Sequence, residues 1–507
     1  MEVSPNRGSD RLALGAILAV AAFLRFFRIG HQSLWVDEIL SFKAFTSPAG
    51  VPYWKKFLHD VHGPLYSLIM HFWGAVSGSD AWLRAPSAVA GILAVYFLYR
   101  WLNAGGRRSI ALPAALFMAI SPFHLFYSQE VRFYSLLSLF VVLALMAFER
   151  FLEAPTARRG ALFGAALAVA CLAHFSGFLL AAALFVYLVT RRPRGPLLRN
   201  GALAALIALA AISPWIYREV TVLRAIHVVD ISTLPVAERL RGDLTLSRWS
   251  YPYAVYAFSV GYSFGPSLPD LHAVSSPAQL LGSYAPQLAV AAIVFGALAA
   301  AGLIRAAREG QAALFLTVIL ATVLLLVVIA RFNVKVFNVR YLMCIFPFYL
   351  ALIAYGLPRG GPARYLIAGV ASAVMLVSDY NYLFVERYGR ENVREAVSIV
   401  AVNERPGDLI IATTVHAVFE HYYRGPNAVV AVFPVVIGRD ALEKKEVEYV
   451  RTHARVWYVR SRTWDRDPED LLLKTLPEHG KVVGSWQLSG VLLNLYDTET
   501  PHARRSH

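Results

Sequence analysis

The amino-acid sequence predicts a polytopic α-helical membrane protein with a small α/β domain at its C-terminal end. The chain of 507 residues is 57% hydrophobic, and its mean hydropathy of +0.51 is high for a soluble protein. Long apolar runs fill most of the sequence, and from about Tyr380 the runs become short. We therefore expect a membrane region over residues 1–379 and a separate domain over residues 380–507.

Charge and cysteine content exclude several other classes of protein. The net charge of +15 is spread as short arginine clusters between apolar runs, which is typical of topology signals rather than of nucleic-acid binding. Cys171 and Cys344 both lie inside apolar runs, so we expect neither a structural disulfide nor a cysteine metal site. The first apolar run has no small-residue cleavage site and is predicted to be retained as a span.

About eleven apolar runs are predicted to span the membrane, within a range of roughly 11–13. Their approximate bounds are 12–27, 84–102, 109–127, 133–152, 160–174, 176–190, 199–217, 286–305, 311–331, 340–357 and 363–379. The apolar segment 63–77 is predicted to lie along the membrane surface, because counting it as a span would reverse the side of every later arginine cluster.

The arginine clusters predict the orientation of these spans. With strict alternation they fall on one side, as expected of cytoplasmic loops. They are Arg100/Arg107/Arg108, Arg150/Arg158/Arg159, Arg191/Arg192/Arg194/Arg199, Arg305/Arg308 and Arg359/Arg364. We expect a prokaryotic cytoplasmic (inner) membrane, with the N-terminus in the cytoplasm and the C-terminal domain extracytoplasmic. Outer loops cover 30–83 and 218–285, and the aromatic second loop, interrupted by Gly and Pro, is predicted to be an interfacial or partly re-entrant cover.

Two adjacent carboxylates follow the first span. Asp37 and Glu38 lie within the otherwise apolar stretch Leu34–Phe42, at the membrane surface. A carboxylate in such a place is costly unless it has a partner or a task. The two side chains are about 100° apart on a helix, which favours separate roles over a shared proton. The alternative is a polar rim on an interfacial helix.

Several cations on the predicted outer side oppose the topology bias. They are Arg132, Arg331, Lys335 and Arg340. Converging cations beside lipid would suit a phosphate, since Arg offers a two-pronged donor and Lys a mobile point charge. The alternatives are pairing with Glu130 or reaching out to lipid headgroups. Glu130 is a second acid at this membrane depth, two residues from Arg132 and thus on a different side of a helix.

The C-terminal domain shows short runs of strand and helix type. A helix is predicted over Glu391–Val400, and Pro406-Gly-Asp408 predicts a turn. Strand-like runs cover 409–412, 428–433, 456–459 and 491–496, with a helical stretch over 440–452. The domain has no Gly-rich phosphate loop and no metal-spaced His/Cys cluster, so no chemistry is assigned to it.

Four motifs carry a resemblance to a known family. They are Ser33-Leu-Trp-Val-Asp-Glu38, His62-Gly-Pro-Leu-Tyr66, Tyr127-Ser-Gln-Glu-Val-Arg-Phe-Tyr-Ser-Leu136 and Val339-Arg-Tyr-Leu342. Over roughly residues 8–360 the chain resembles the family 39 glycosyltransferases of the GT-C membrane fold. That family includes protein O-mannosyltransferases and, more distantly, lipid A aminoarabinose transferases. The chain departs from the mannosyltransferase motif at Gly63 and at Tyr66-Ser67, which weakens an inference that mannose is the sugar or protein the acceptor.

The resemblance implies transfer of a hexosyl or pentosyl group from a polyprenyl-phosphate-linked donor. The acceptor would be a hydroxyl of a lipid, protein or glycan in the cell envelope, on the extracytoplasmic side. Asp37 is predicted to be the general base in a direct, inverting displacement. Glu38 is grouped with it as a catalytic-site residue, and Glu38 and Glu130 are expected either to bind the acceptor or donor sugar or to orient a helix. A partly dry site would raise the pKa of Asp37 and make it a better base.

The remaining site residues follow from the same resemblance. Those predicted to hold the donor phosphate are Arg132, Lys335 and Arg340, and those predicted to contact sugar or acceptor are His62, Glu130, Tyr134 and Tyr341. Because basic side chains can neutralise a phosphate leaving group, no obligatory metal is expected. Binding of a divalent cation by the Asp37/Glu38 pair is left open.

Three other functions remain open at the level of sequence. The first is a structural scaffold with an outer recognition domain, which would leave Asp37 and Glu38 without a purpose. A transporter or flippase for a lipid-linked glycan would place ionisable residues near span centres and would show paired broken spans. A ligase would move a preassembled glycan from a pyrophosphate-linked lipid. A monophosphate-linked donor would indicate the glycosyltransferase proposed above, and a pyrophosphate-linked donor would indicate the ligase.

Overall fold

The computed structural model describes residues 7–45, 63–226, 248–273, 277–331, 337–432, 442, 448–449, 452–463, 467 and 469–498. In the membrane region the α-helices are α1 (Arg7–Phe26), α2 (Val36–Phe45), α3 (Pro64–Gly74), α4 (Asp80–Ala104), α5 (Arg108–Ala119), α6 (Pro122–Ser128), α7 (Tyr134–Glu153), α8 (Ala157–Ala173), α9 (Ser176–Thr190), α10 (Gly195–Ile226), α11 (Ser250–Val260), α12 (Leu268–Ala273), α13 (Pro277–Arg308), α14 (Ala312–Arg331), α15 (Phe346–Gly356) and α16 (Pro362–Phe384). A 3₁₀ helix over Val339–Ile345 leads directly into α15.

Each of the predicted spans falls on a helix, or on two consecutive helices, of this region. By length and composition, seven helices of the described residues could each cross a membrane, or eight if the bent pair α5 and α6 forms one span. A further apolar helix, α9, has 15 residues. The protein is therefore a multi-pass membrane protein, as predicted, while the count of eleven spans stays a prediction.

A break between α5 and α6 shapes the end of the bundle that carries the acidic motif. The two helices meet at an angle of 55°, and Pro122 follows the break because its ring suits the first turn of a new helix. The buried Arg25 of α1 donates to the carbonyls of Met118 and Ala119 at 3.0 and 2.9 Å. It thereby satisfies carbonyls that the interrupted helix leaves free.

Close helix contacts depend on small residues, as is usual in membrane bundles. A Cβ at Gly302 of α13 would lie 1.9 Å from the carbonyl oxygen of Leu352 in α15. A Cβ at Gly356 would lie 2.1 Å from the carbonyl oxygen of Leu298. The two glycines let α13 and α15 approach along their backbones.

The short helix α3 corresponds to the segment predicted to lie on the membrane surface. With 11 residues it spans only about 16 Å at the usual helical rise, roughly half of a bilayer core. Trp73 at its end stacks on Trp82 of α4 with ring centroids 4.1 Å apart. Each indole N–H donates to the other residue's carbonyl, at 2.7 and 2.8 Å. This contact fixes α3 against the start of α4.

The second predicted loop is more helical than its composition indicated. Helix α10 continues to Ile226 and α13 already begins at Pro277, so both ends of the interval 218–285 are helical. Between them α11 buries Ala257 and Phe258 against the bundle. The part of the aromatic segment around Tyr251 and Tyr253 is therefore packed as a helix, whereas residues 261–266 form turns and bends.

The C-terminal domain contains one sheet with helices against it. Its elements are α17 (Val393–Asn403), β1 (Leu409–Ala412), α18 (His416–Tyr422), β2 (Ala428–Ala431), β3 (Arg455–Arg460), α19 (Leu471–His479), β4 (Lys481–Leu488) and β5 (Val491–Asp497). The strand order is β2-β1-β3-β5-β4. Strand β1 pairs in parallel with β2 and β3, and β5 pairs antiparallel with β3 and β4.

Four of these strands and helix α17 lie where the sequence predicts them, and β4 was missed. Strand β4 is an exposed edge strand, with Val482 and Val483 open to solvent and an irregular register between Val482 and Gly484. It therefore lacks the buried apolar alternation of an internal strand. Helix α16 extends to Phe384, past the predicted domain boundary at 380. The predicted helix over 440–452 falls almost entirely outside the described residues.

Candidate active site at the N-terminus of helix α2

Asp37 and Glu38 begin helix α2, where carboxylates are favoured by the partial positive charge of a helix N-terminus. As predicted, their side chains face different surroundings. The side chain of Asp37 is 29% exposed, whereas that of Glu38 is fully buried. One turn of helix therefore presents one partly exposed carboxylate and one that faces the protein interior.

The exposed carboxylate contacts two of the predicted phosphate-binding arginines. The Oδ2 atom of Asp37 lies 3.1 Å from Nη1 of Arg340 and 3.8 Å from Nη2 of Arg132. Arg132 also donates to the Ser41 hydroxyl at 2.7 Å, one turn further along α2. These residues come from three distant parts of the sequence. Asp37, Arg132 and Arg340 are called the Asp37 cluster below.

The pKa of Asp37 moves in the direction opposite to the prediction. Burial by itself would raise it, but the positive charges of Arg132 and Arg340, with the hydrogen bond from Arg340, lower it below the usual value for an aspartate. The expectation of a raised pKa was wrong because the sequence did not reveal that both cations contact this carboxylate. These contacts favour the charged form of the Asp37 carboxylate.

Aromatic rings surround the arginines of this cluster. The guanidinium carbon of Arg340 lies 5.7 Å from the ring centroid of Tyr134 and 5.6 Å from that of Tyr341. Arg132 lies 4.7 Å from the ring of Phe133. Such cation–π contacts hold a guanidinium without using its N–H donors. The structure therefore places Tyr134 and Tyr341 beside the cluster, and their contacts to sugar or acceptor stay predictions.

The segment that carries Arg132 is held by backbone contacts. The side-chain amide of Gln129 donates to the carbonyls of Leu24, Arg25 and Phe27 at the end of α1 at 3.0–3.1 Å. The carbonyl of Arg132 accepts from the Ser87 hydroxyl at 3.0 Å. Motif residues outside the cluster thus fix the bend 129–133 between α6 and α7.

A second cluster surrounds Glu38. Arg84 of α4 donates to both carboxylate oxygens at 2.8 Å, and Arg390 of the C-terminal domain donates at 2.7 Å. The backbone N–H of Val131 donates to the same carboxylate at 2.8 Å. With these donors the pKa of Glu38, which burial would raise, falls to about 2. Glu38, Arg84, Arg390 and Glu130 are called the Glu38 cluster below.

Glu130 is the fourth member of this cluster and has weaker contacts. Its side chain is fully buried, and its Oε1 atom lies 3.4 Å from Nη2 of Arg390. Neither carboxylate oxygen has a hydrogen-bond partner among the described residues. Burial raises its pKa to about 7, because the attraction of Arg390 only partly offsets desolvation.

Sequence reasoning missed Arg84 and Arg390. Arg84 was taken as the first residue of a span, and Arg390 lies in the domain to which no chemistry was assigned. Both lie on the predicted outer side, so the charge anomaly that selected Arg132 also applied to them. That signal could have found both arginines.

Two predicted site residues, His62 and Lys335, lie outside the described residues. The next position, Gly63, is described. A Cβ there would lie 2.4 Å from the carbonyl oxygen of Leu172 and 2.7 Å from that of Ala173, at the end of α8. The departure from the family motif at Gly63 therefore has a steric reason in this chain. Among the described residues, no group of three or more His, Cys, Asp or Glu side chains is placed to hold a metal ion.

Sequence and structure comparisons agree on the fold. Residues 61–217 match the family model for dolichyl-phosphate-mannose-protein mannosyltransferases, and no curated protein matches the chain. The Archaeoglobus fulgidus oligosaccharyltransferase, crystallised with Zn and sulfate, is 13% identical with a TM-score of 0.52, covering 96% of this chain and 73% of its own. ArnT from Cupriavidus metallidurans, bound to undecaprenyl phosphate, is 16% identical with a TM-score of 0.46, covering 97% of this chain and 98% of its own.

The matched segment includes the motif at Tyr127–Leu136, which carries Glu130 and Arg132. The fold similarity extends over nearly the whole chain. The predicted GT-C fold is therefore confirmed, and the family match indicates a membrane glycosyltransferase.

Proposed function

We propose that this protein transfers a sugar from a polyprenyl-phosphate-linked donor to an acceptor hydroxyl at the extracytoplasmic face of the cytoplasmic membrane. The observation that supports this most is the Asp37 cluster, in which a partly exposed carboxylate lies 3.1 Å from Arg340 and 3.8 Å from Arg132. A base and two phosphate-binding cations are the groups that such a transfer needs.

The donor phosphate is the first ligand to consider. Arg340 donates to the Asp37 carboxylate at 3.1 Å, whereas Arg132 lies 3.8 Å from that carboxylate and donates to the backbone carbonyl of Asp37 at 3.4 Å. A phosphate would compete with Asp37 for both arginines because it is also an anion with several acceptor oxygens. Binding of the phosphate would weaken the hold of both arginines on Asp37. The carboxylate pKa would then rise towards its usual value, and the group would become a stronger base.

In the transfer step, the acceptor oxygen bonds to the anomeric carbon of the sugar while the bond from that carbon to the phosphate oxygen breaks. The proton of the acceptor hydroxyl goes to Asp37, and the polyprenyl phosphate leaves with its electron pair. One direct displacement inverts the anomeric configuration. Arg132 and Arg340, joined by Lys335, would stabilise the charge that grows on the leaving phosphate.

The other predicted residues have supporting roles in this proposal. Glu38 would act as a positioning residue, because its contacts fix α2 and leave no oxygen open to a substrate. Glu130, Tyr134, Tyr341 and His62 are proposed for contacts to the sugar or acceptor. We propose no obligatory metal, and a divalent cation remains a test variable.

The decisive experiment is a transfer assay with the purified protein in lipid nanodiscs. Radiolabelled polyprenyl-monophosphate sugars and pyrophosphate-linked glycans are offered separately, each with and without EDTA. Label should move to an acceptor from the monophosphate donor and not in the Asp37→Asn variant. Glu420→Gln, which removes a half-exposed carboxylate of the C-terminal domain near α2, is the control and should transfer normally. Transfer only from the pyrophosphate donor would replace the proposal with the ligase.

A further inference from the structure

Arg390 has a contact set that its place in the sequence does not explain. It belongs to the segment between α16 and α17, yet only 9% of it is exposed. Its guanidinium donates to Glu38 at 2.7 Å, lies 3.4 Å from Glu130, and stacks 4.9 Å above the ring of Phe126. Its backbone N–H donates to the side chain of Gln32 at 3.1 Å. One residue of the C-terminal domain thus contacts α2, α6, the bend that carries Glu130 and the segment before the acidic motif.

The partners of Arg390 determine where the reacting groups lie. Glu38 is adjacent to Asp37 in the first turn of α2, and it also accepts the backbone N–H of Val131 at 2.8 Å. Val131 is adjacent to Arg132. Glu38 therefore links the two reacting groups, because Asp37 is its neighbour in α2 and Arg132 follows Val131, whose N–H donates to Glu38. A displacement of the Glu38 carboxylate would change the separation between Asp37 and Arg132.

Two cations hold Glu38 in this position. Arg84 binds it from α4 with two parallel hydrogen bonds, which fix the carboxylate plane. Arg390 binds from the opposite domain, and it alone among the described residues forms an ion pair with both Glu38 and Glu130. Lysine has the charge of arginine but lacks the fork needed to bridge two carboxylates.

We propose that Arg390 is a positioning residue, through which the C-terminal domain sets the distance between the Asp37 carboxylate and the Arg132 guanidinium. The catalytic meaning of this inference rests on the proposed function. The role of Arg390 in holding Glu38 and Val131 can be tested without any activity measurement. The C-terminal domain would then help to hold the active-site geometry, in addition to any role in recognition.

The test compares Arg390→Gln and Arg390→Lys with Arg394→Gln as a matched control. Arg394 lies four residues further on, in the first turn of α17, and also joins the two regions, through Asp80 and the carbonyl of Gly30. All variants are checked for a monodisperse elution profile and for helix content. If Arg390→Gln does not fold, Arg390→Lys carries the comparison.

The first measurement is amide hydrogen exchange of the peptide that contains Val131. Arg390→Gln should accelerate exchange there by about tenfold or more, because the Glu38 acceptor loses its anchor. Arg394→Gln should leave the rate within about twofold of the parent. Unchanged exchange in both Arg390 variants would overturn the inference, and so would equal acceleration in Arg394→Gln.

The second measurement is the kinetics of sugar transfer. Arg390→Gln and Arg390→Lys should lower kcat by about 10- to 100-fold, since small misplacements of reacting groups have effects of this size. KM for the acceptor should change by less than about threefold. A KM effect alone would overturn the positioning role. A parent protein with no transferase activity would instead overturn the proposed function, and hydrogen exchange would still decide the role of Arg390.

Discussion

The two carboxylates that begin α2 are adjacent in sequence but have opposite surroundings. Asp37 is partly exposed and shares one oxygen between Arg340 and Arg132. Glu38 is fully buried and receives donors from Arg84, Arg390 and the backbone of Val131. The contacts of Asp37 are therefore partly open to solvent, whereas those of Glu38 are enclosed by protein.

Burial, more than residue type, distinguishes these two acids. Both clusters contain carboxylates and arginines at similar distances. Water can reach the partly exposed Asp37 carboxylate, whereas in the buried cluster any broken contact leaves a charge without a partner. The following experiments sharpen this contrast.

The largest expected effect is on turnover in Asp37→Asn. Loss of a general base should lower kcat by about 100- to 10,000-fold, while the thermal unfolding temperature changes less than in Glu38→Gln. Single-turnover transfer assays and thermal unfolding in nanodiscs measure the two quantities. Parental turnover in Asp37→Asn would remove this residue from the role of base.

Glu38→Gln should show the reverse pattern, with stability affected most. Removing one charge from a buried, hydrogen-bonded network typically destabilises a protein by about 3–5 kcal/mol, because the partner cations stay buried without an anion. Denaturant unfolding of the purified variant measures the change. A loss of less than about 1 kcal/mol would mean that the Glu38 cluster behaves like a surface pair.

Arg340→Ala should weaken binding of the donor lipid. A hydrogen bond to a charged group contributes about 1.5–3 kcal/mol, which corresponds to roughly 10- to 100-fold in the dissociation constant. Binding of undecaprenyl phosphate to the nanodisc protein can be followed by a radioligand filter assay. Arg387→Ala, which removes a half-exposed arginine paired with Asp270, is the control and should bind normally. Normal binding by Arg340→Ala would exclude Arg340 as a phosphate ligand.

The pH dependence of stability should distinguish Glu130 from Glu38. The pKa of folded Glu130 is raised from 4.5 to about 7, so the folded state holds the proton more tightly, and stability falls as pH rises from 4.5 to 7. The pKa of Glu38 is lowered from 4.5 to about 2, so its contribution is complete above pH 4.5 and is lost towards pH 2.

The difference between the stability curves of the parent and Glu130→Gln isolates this effect. The variant should gain stability relative to the parent as pH rises from 4.5 to 7. Thermal unfolding across this range measures it. A constant difference across the range would show that Glu130 does not titrate there.

The smallest effect is expected at the exposed tie between α2 and the C-terminal domain. Lys43 and Glu420 lie 3.1 Å apart, with 46% and 43% of their side chains exposed. Lys43→Ala should change the free energy of unfolding by at most about 1 kcal/mol, since water and salt screen such pairs. Denaturant unfolding of Lys43→Ala and of Glu38→Gln under the same conditions compares the two losses of stability. A loss as large as that of Glu38→Gln would make the exposed tie, and not the Glu38 cluster, the main link between the domains.

Most of the fold could be predicted because hydropathy is a local property. Each predicted span falls on a helix, and four strands lie where short apolar runs predict them. Strand β4 was missed because an exposed edge strand needs no apolar alternation. The helical ends of the interval 218–285 were missed because aromatic and Gly/Pro content indicated a loop, whereas packing against the bundle favours helix.

The sequence by itself determined the membrane helices, the acidic start of α2 and the cations that oppose the topology bias, because composition and charge placement can be read along the chain. The tertiary structure alone decided that Glu38 is buried, that the pKa of Asp37 is lowered, and that Arg390 completes the Glu38 cluster. These properties depend on Coulombic contacts between residues as far as 352 positions apart. Such distances are set only when the chain is folded.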